Sequence, residues 1–163
     1  EVTNSYCYKD NADSCAKYGR LYTWSAAMDS AAQFSEAGKG CGYGDTCSPS
    51  GIVRGVCPEG WHLPNDTEWD ALLTYVGGTN SAKELKSTSG WYNHGNGTDS
   101  YGFAVLPAGN RNMGFSGAGE YAYFWTSSEV GSGAYRWGFS DSYSVRHYNE
   151  TKNHGFSVRC LKD

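Results

Sequence analysis

The sequence has no apolar run long enough to cross a bilayer, which needs about eighteen residues, so we predict no membrane span in this chain. It also has no cluster of basic residues. The 13 Lys and Arg residues are scattered and are outnumbered by 17 Asp and Glu, which gives a net charge of −4. A protein that binds nucleic acid needs a concentrated positive surface to displace counterions. We therefore predict no nucleic-acid partner.

The local motifs of common catalytic sites are missing as well. The four His residues are widely separated and form no His-x-x-x-His or His-Glu-x-x-His pattern. No Ser lies in a Gly-x-Ser-x-Gly elbow. Asp66, Glu68 and Asp70 lie at a predicted helix start, where the helix dipole favours negative charge. We therefore predict that the chain is not an enzyme.

The chain has six Cys but no Cys-x-x-Cys pair, and no His lies near a Cys pair at zinc-finger spacing. An even number of Cys in this pattern favours disulfides and an oxidising compartment over a metal or redox site. The spacing favours the pairs Cys7–Cys15, Cys41–Cys47 and Cys57–Cys160. The first residues have neither a basic nor an apolar leader region, so we interpret the chain as a mature or trimmed ectodomain.

Two longer segments are predicted to be helices. Residues 25–37 are rich in Ala, which has the highest helix propensity. The second helix follows Pro64, with Asn65 as its N-cap and Glu68 three residues later in a capping-box arrangement. A shorter helical turn is predicted for residues 81–86.

From residue 90 onward, short aromatic and β-branched runs are separated by Gly, Asn and Ser clusters. This pattern predicts several short strands with long connections. No repeat or linker divides the chain, and 163 residues are close to the usual size of one domain. We therefore predict a single α+β domain over residues 1–163.

The late part of the chain concentrates aromatic residues, with nine between positions 121 and 148. A pyranose offers an apolar face to a ring and hydroxyls to polar side chains, so this mixture suits a carbohydrate ligand. The alternative is that Tyr135, Trp137 and Phe139 line a strand face that packs into the core. The predicted ligand-binding residues are Trp125, Tyr135, Arg136, Trp137, Tyr143, Arg146, His147 and Tyr148.

Residues 93–99 gather side-chain oxygens on a Gly-rich backbone, and oxygen is the ligand that calcium prefers. Asn96 and Asp99 are therefore candidate calcium ligands. The alternative is an ordinary turn, because Asn, Gly and Asp are also the usual turn residues. We predict no other cofactor.

Seven ordered motifs cover nearly the whole chain: GRLYTW at 19–24, CPEGWHLP at 57–64, EW at 68–69, GTDSYGF at 97–103, LPAG at 106–109, FWTSSE at 124–129 and GFSVRC at 155–160. Together they resemble the Fibrobacter succinogenes major paralogous domain. The first strand that is usual in that family is missing here, which indicates a trimmed chain or a fold completed differently.

The segments WHLP at 61–64 and EW at 68–69, which surround the start of the second predicted helix, are also similar to the formylglycine-generating-enzyme branch of the C-type lectin fold. The closing GFSVRC shares this more distant similarity. That resemblance implies two helices that flank a small twisted antiparallel sheet, with long disulfide-stapled loops presenting the ligand surface. It also implies an exported protein that is attached to the bacterial surface.

We therefore predict a non-catalytic extracellular or cell-surface adhesion module that binds a polysaccharide or a surface protein. One alternative is the structural head of a surface filament or scaffold. The other is an oxidase-like enzyme, which would need free thiols able to hold copper.

Overall fold

The computed structural model describes residues 3–163 and has an α+β architecture, as the sequence predicts. The helices are short and precede the main sheet in the chain. They are α1 (Ala12–Tyr18), α2 (Trp24–Met28), α3 (Asp66–Val76) and α4 (Ala82–Leu85). Within residues 3–163, no helix is both long and apolar enough to cross a membrane.

The strands form one large sheet and two small ones. They are β1 (Ser5–Tyr6), β2 (Leu21–Tyr22), β3 (Trp61–His62), β4 (Ala108–Asn112), β5 (Gly114–Ala118), β6 (Ala122–Val130), β7 (Gly133–Phe139), β8 (Arg146–Thr151) and β9 (Leu161–Lys162). The main sheet has the order β5-β4-β6-β7-β8, while β1 pairs with β2 and β3 pairs with β9.

The main sheet is mixed, so the prediction of an antiparallel sheet is wrong at one pairing. β4 and β6 run parallel, with Gly109 opposite Ala122, whereas the pairs β4–β5, β6–β7 and β7–β8 are antiparallel. The parallel pairing arises because the chain reverses direction twice, into β5 and out of it, before β6 joins the other edge of β4.

The predicted helix over residues 25–37 is wrong beyond Met28. Asp29 ends α2 in a left-handed conformation, with φ 58° and ψ 52°. Its carboxylate accepts hydrogen bonds of 2.6 to 3.0 Å from the backbone N–H groups of residues 33–35. A Cβ on Gly38 would lie 1.7 Å from the Met28 carbonyl oxygen, so this segment folds back tightly onto α2. Side-chain bonds to the backbone and tertiary packing therefore override the helix propensity of Ala here.

α3 begins where the sequence predicts. Asn65 Oδ1 accepts the Glu68 N–H and Glu68 Oε2 accepts the Asn65 N–H, both at 2.9 Å, which completes a capping box. Gly77 ends the helix in a left-handed conformation, and the inner face of the helix buries Trp69. The helical turn predicted for residues 81–86 is confirmed as α4.

The main sheet has a hydrophobic core on each face, because successive side chains of a strand point to opposite sides. The first core lies against α3 and α4 and includes Trp69, Leu73, Leu85, Trp91, Phe124, Trp137 and Phe139. The second lies against α2 and includes Trp24, Met28, Val53, Leu63, Trp125 and Phe156.

All three predicted disulfides are present: Cys7–Cys15, Cys41–Cys47 and Cys57–Cys160. The third spans 103 residues and joins the segment before β3 to the segment before β9. In the loop-entropy model, closing about 100 residues stabilises the folded state by about 4 to 5 kcal/mol. The disulfide and the β3–β9 pairing thus fasten the end of the chain to its middle.

Candidate functional site

The late aromatic residues are divided between the two faces of the main sheet. Trp125 and Trp137 lie in the cores, with 0% and 3% of their surface exposed. Trp125 Nε1 donates to the Tyr22 carbonyl at 2.8 Å, and Trp137 Nε1 donates to Asp66 Oδ1 at 3.1 Å. The prediction that these two rings contact a ligand is therefore wrong, because protein encloses both and their N–H groups are bonded internally.

Three other predicted residues also lie outside the groove described below. The His147 ring stacks on Trp137 at 4.5 Å and lies 4.7 Å from the Tyr135 ring. His147 Nε2 is 2.8 Å from Asp66 Oδ1. Tyr143 is 64% exposed on the connection between β7 and β8. The core alternative for the β7 rings is thus confirmed for Trp137 and Phe139, which are both buried, and Tyr135 is half-buried beside them.

Arg136, Arg146 and Tyr148 meet in an open groove on the opposite face of the sheet, with a volume of about 300 Å³. The strand register brings them together. Tyr123 lies opposite Gly138 and Gly138 opposite Arg146, while Arg136 lies opposite Tyr148. The groove is lined by Tyr121, Tyr123, Arg136, Gly138, Phe139, Ser140, Asp141, Ser142, Arg146 and Tyr148.

Tyr121 and Tyr123 complete the groove, and they are not among the predicted ligand-binding residues. Their rings stack with centroids 5.9 Å apart and planes 10° apart. Burial raises the pKa of Tyr123, against the opposing effect of the Arg136 charge, so the phenol stays protonated at neutral pH. The signal that could have identified them is the two-residue period, since both lie on the face opposite Phe124.

The Arg136 guanidinium is packed among the rings of the groove. Its Cζ lies 4.5 Å from the ring centroid of Tyr123 and 5.2 Å from that of Tyr148. Burial of this side chain, which is 14% exposed, lowers the pKa of Arg136. Its Nη2 is 4.0 Å from Glu150 Oε2, and its Nε makes no hydrogen bond with any residue that the structure describes. Ring faces therefore hold this cation in place more than hydrogen bonds do.

One wall of the groove is fixed by a buried lysine, Lys86, which directly follows α4. Lys86 Nζ donates to the carbonyls of Ser140 and Ser142 at 2.9 and 3.2 Å and lies 4.8 Å from the Trp91 ring centroid. Burial lowers the pKa of Lys86, although the charge of Asp141 opposes this shift. The ammonium group thus holds the loop that carries Asp141 into the groove.

The groove floor depends on the absence of a side chain at Gly138. A Cβ at this position would lie 2.6 Å from Arg136 Nη1 and 2.9 Å from Tyr123 Cδ1. Such distances are shorter than ordinary contacts, so glycine leaves the space that the guanidinium and the ring occupy.

The family model described as the Fibrobacter succinogenes major domain matches residues 1–162. The chain belongs to this family. The match confirms the family that the ordered motifs indicate, and it includes the groove and all three disulfides. No curated protein and no solved structure gives a significant match to the chain.

In this Fibrobacter major domain, the two candidate calcium ligands stabilise local turns. Asn96 Oδ1 accepts the Trp91 N–H at 3.0 Å, and Asp99 Oδ1 accepts the Ala104 N–H at 2.7 Å. Across residues 3–163, no group of three or more His, Cys, Asp or Glu side chains could hold a metal ion. The hydrogen bonds favour the turn alternative, and calcium at Asn96 and Asp99 stays a prediction.

The cysteines of this Fibrobacter major domain bear on the oxidase-like alternative. All six are joined in disulfides, which leaves no free thiol among residues 3–163. A copper-holding oxidase site needs deprotonated, unpaired thiolates. An oxidase site of that kind would therefore require one of these disulfides to be reduced.

Proposed function

We propose that this domain is a non-catalytic binding module that recognises carbohydrate in the groove formed by β6, β7 and β8. One observation carries the proposal: three tyrosine rings and a ring-packed arginine share a single open groove of about 300 Å³. A pyranose stacks its apolar face on such rings, while its hydroxyls bond to nearby polar groups. Asp141 and Ser140 supply polar groups of this kind in the groove wall.

The size of the groove supports recognition of a short stretch of sugar chain. Small-molecule sites commonly start at about 300 Å³, which is the size observed here. The groove opens to solvent, so a polysaccharide can continue past it. An adhesion module of this kind holds its ligand without chemical change, which requires no catalytic group.

We extend the proposal to the location and the fold type. Three disulfides support an extracellular location, in which the protein is either secreted or attached to the cell surface. The β3–β9 pairing and the long irregular connections over residues 29–60 and 86–107 support a C-type lectin-like form of the α+β fold.

The test is binding of the oxidised domain to a panel of plant and microbial polysaccharides, with calcium and again with chelator. We expect saturable binding that free oligosaccharide competes away. Tyr148→Ala should weaken it about tenfold without a change in unfolding temperature, since the ring is 51% exposed. Tyr75→Ala is the matched control, because Tyr75 is 79% exposed on α3, outside the groove.

Equal binding by the Tyr148→Ala and Tyr75→Ala variants would remove the groove from the proposal. An absence of binding to the whole panel would overturn the carbohydrate function itself. Binding that is lost only in the presence of chelator would support a role for calcium in ligand binding. The calcium dependence of the Asn96→Ala and Asp99→Ala variants would then be compared with that of the unmodified domain.

A structural head for a surface filament is the second candidate, and β5 favours it. This strand lies at the edge of the main sheet and carries no charged residue, and Met113 in the preceding turn is 99% exposed. Uncharged edge strands pair readily with other chains. Concentration-dependent assembly that Ser116→Lys abolishes would support this role, whereas a monomer at all concentrations would overturn it.

A further inference from the structure

Arg136 has hydrogen-bonding capacity that the protein itself leaves unused. The nearest ion-pair partner is Glu150, at 4.0 Å, which is the outer limit for such a pair. Glu150 Oε1 is meanwhile engaged elsewhere: it accepts the Thr151 N–H at 3.2 Å and lies 3.5 Å from His154 Nδ1. The N–H groups of a guanidinium point outward in its plane, so further partners must approach its edge.

One terminal nitrogen of Arg136, Nη1, lies at the groove floor. Nη1 is the atom that a Cβ on Gly138 would approach to 2.6 Å, and Gly138 lines the groove. The edge of a guanidinium carries paired N–H donors, a geometry that matches a carboxylate better than it matches a sugar hydroxyl.

The charge of the groove lining is opposite to that of the whole chain. The described lining residues include Arg136 and Arg146 but only one carboxylate, Asp141. The chain as a whole has a net charge of −4. A positive groove in an acidic protein favours an anionic ligand and disfavours adsorption of unrelated polyanions elsewhere on the surface.

We propose that the groove is selective for acidic sugars, with the carboxylate of a hexuronic acid residue accepting hydrogen bonds from the terminal nitrogens of Arg136. The pyranose ring of that residue lies against Tyr123 or Tyr148, and Arg146 adds a second positive charge at the groove edge. This inference rests on the proposed carbohydrate-binding function and names the class of sugar that the groove takes.

The experiment is calorimetric titration of the oxidised domain with oligogalacturonate and with the same oligomer as its methyl ester. The two ligands differ in the carboxylate charge and share the sugar chain. We expect the free acid to bind about tenfold more tightly than the ester, and the preference to weaken as salt is added. Arg136→Gln should remove the preference. Arg136→Lys should retain part of it, because lysine keeps the charge without the planar fork.

Lys39→Gln is the control, since it removes one positive charge from an exposed ion pair with Glu36. It should leave both affinities unchanged. Equal binding of acid and ester by the unmodified domain would overturn acidic-sugar selectivity and leave the carbohydrate function standing. If neither form binds and no polysaccharide of the panel binds, both the acidic-sugar selectivity and the carbohydrate function would be overturned. Poly-glutamate that binds as tightly as oligogalacturonate would overturn the sugar assignment, because it supplies carboxylates without pyranose rings.

Discussion

Two regions of the molecule surround a cationic side chain in opposite ways. Beyond β8, Lys152 is fully buried, and its Nζ contacts the Glu129 carboxylate, donates to the Asp45 carbonyl at 2.5 Å and lies 4.6 Å from the Trp24 ring centroid. In the groove, Arg136 is surrounded by rings and has only a distant carboxylate. The protein therefore supplies Lys152 with close hydrogen-bond and charge partners, but it supplies Arg136 with only one distant carboxylate. We interpret the first as structural and the second as the place where a ligand completes the bonding.

The first region also ties a disulfide loop to the sheet. The Glu129 carboxylate accepts the N–H of Ser48 at 2.7 Å and that of Cys47 at 3.1 Å. Burial alone would raise the pKa of Glu129, but the hydrogen bonds from Lys152 and from these backbone groups outweigh it and lower the pKa. Glu129 therefore stabilises the fold above its ordinary pKa of 4.5, and this contribution is lost as the pH falls through the lowered value.

The largest expected effect comes from Glu129→Gln, which leaves Lys152 buried with an unpaired charge. Breaking a buried pair in this way should lower the free energy of unfolding by about 3–5 kcal/mol, measured by denaturant titration. Glu150→Gln is the control and should cost less than about 1 kcal/mol, because its side chain is partly exposed and its contact with Arg136 is long. Similar losses in both variants would erase the distinction between the two regions.

Lys86→Met tests the groove wall. It removes the donor to the Ser140 and Ser142 carbonyls and should destabilise the domain by about 1–3 kcal/mol, because these partly buried carbonyls lose their partner. Sugar binding should weaken as well, since Asp141 is no longer held in place. Lys83→Met, at an exposed position of α4, should change neither property. Unchanged affinity in Lys86→Met would show that the loop is positioned by other contacts.

Gly138→Ala tests the groove floor with a single methyl group. The added Cβ would displace the end of the Arg136 side chain and the Tyr123 ring, so we expect about a tenfold loss of affinity, or ~1.4 kcal/mol. The free energy of unfolding should change by less, because the Arg136 side chain can move aside. Gly114→Ala, where the Cβ would meet nothing within 4 Å, is the matched control. Full affinity in Gly138→Ala would mean that the ligand does not use this floor.

The smallest effect on stability is expected at His62 in β3, which contacts Glu68 of α3 and the residue after β9, Asp163. Its Nδ1 is 2.7 Å from Asp163 Oδ1, and its Nε2 is 2.9 Å from Glu68 Oε1. Burial alone would lower the pKa of His62, but these two carboxylates outweigh it and raise the pKa. The protonated imidazole therefore stabilises the fold below the ordinary pKa of 6.5, and this stability is lost as the pH rises through the raised value.

The measurement for His62 is unfolding of the unmodified domain and of His62→Gln between acidic and alkaline pH. The stability difference between them should be greatest below pH 6.5 and should shrink at higher pH. A difference that grows with pH would contradict the raised pKa. Sugar affinity should be equal in the two proteins at every pH where both are folded.

Local rules were enough to predict several parts of this fold. The α3 start follows from Asn65 and Glu68 alone, and the three disulfides follow from cysteine spacing. α1 is not among the predicted helices, although Asn11 carries a helix-start signal: its Oδ1 accepts the Asp13 N–H at 2.7 Å as an N-cap. The short length of α2 depends on Asp29 and on packing against Gly38, which composition does not reveal.

The site was predictable only in part, because its residues are selected by strand register. The composition of the late segment singles out Arg136, Arg146 and Tyr148, which lie together in the groove, but it gives no means to separate them from the buried Trp125 and Trp137. The two-residue period of a strand assigns odd and even positions to opposite faces of the sheet. It does not show which of the two faces is left open, because that depends on tertiary packing. The Lys152–Glu129 pair likewise requires the folded sheet, since the two residues meet only through tertiary structure.

The most direct test of the account is the change in backbone amide chemical shifts when the oligosaccharide that binds best on the panel is titrated into the domain. We predict that the largest changes cluster at residues 121–123 and 136–148 and that the amides around Lys152 and Glu129 remain unchanged. Changes centred on β5 or on the exposed face of α3 would contradict the assignment of the groove as the binding site, as would an absence of changes at saturating sugar.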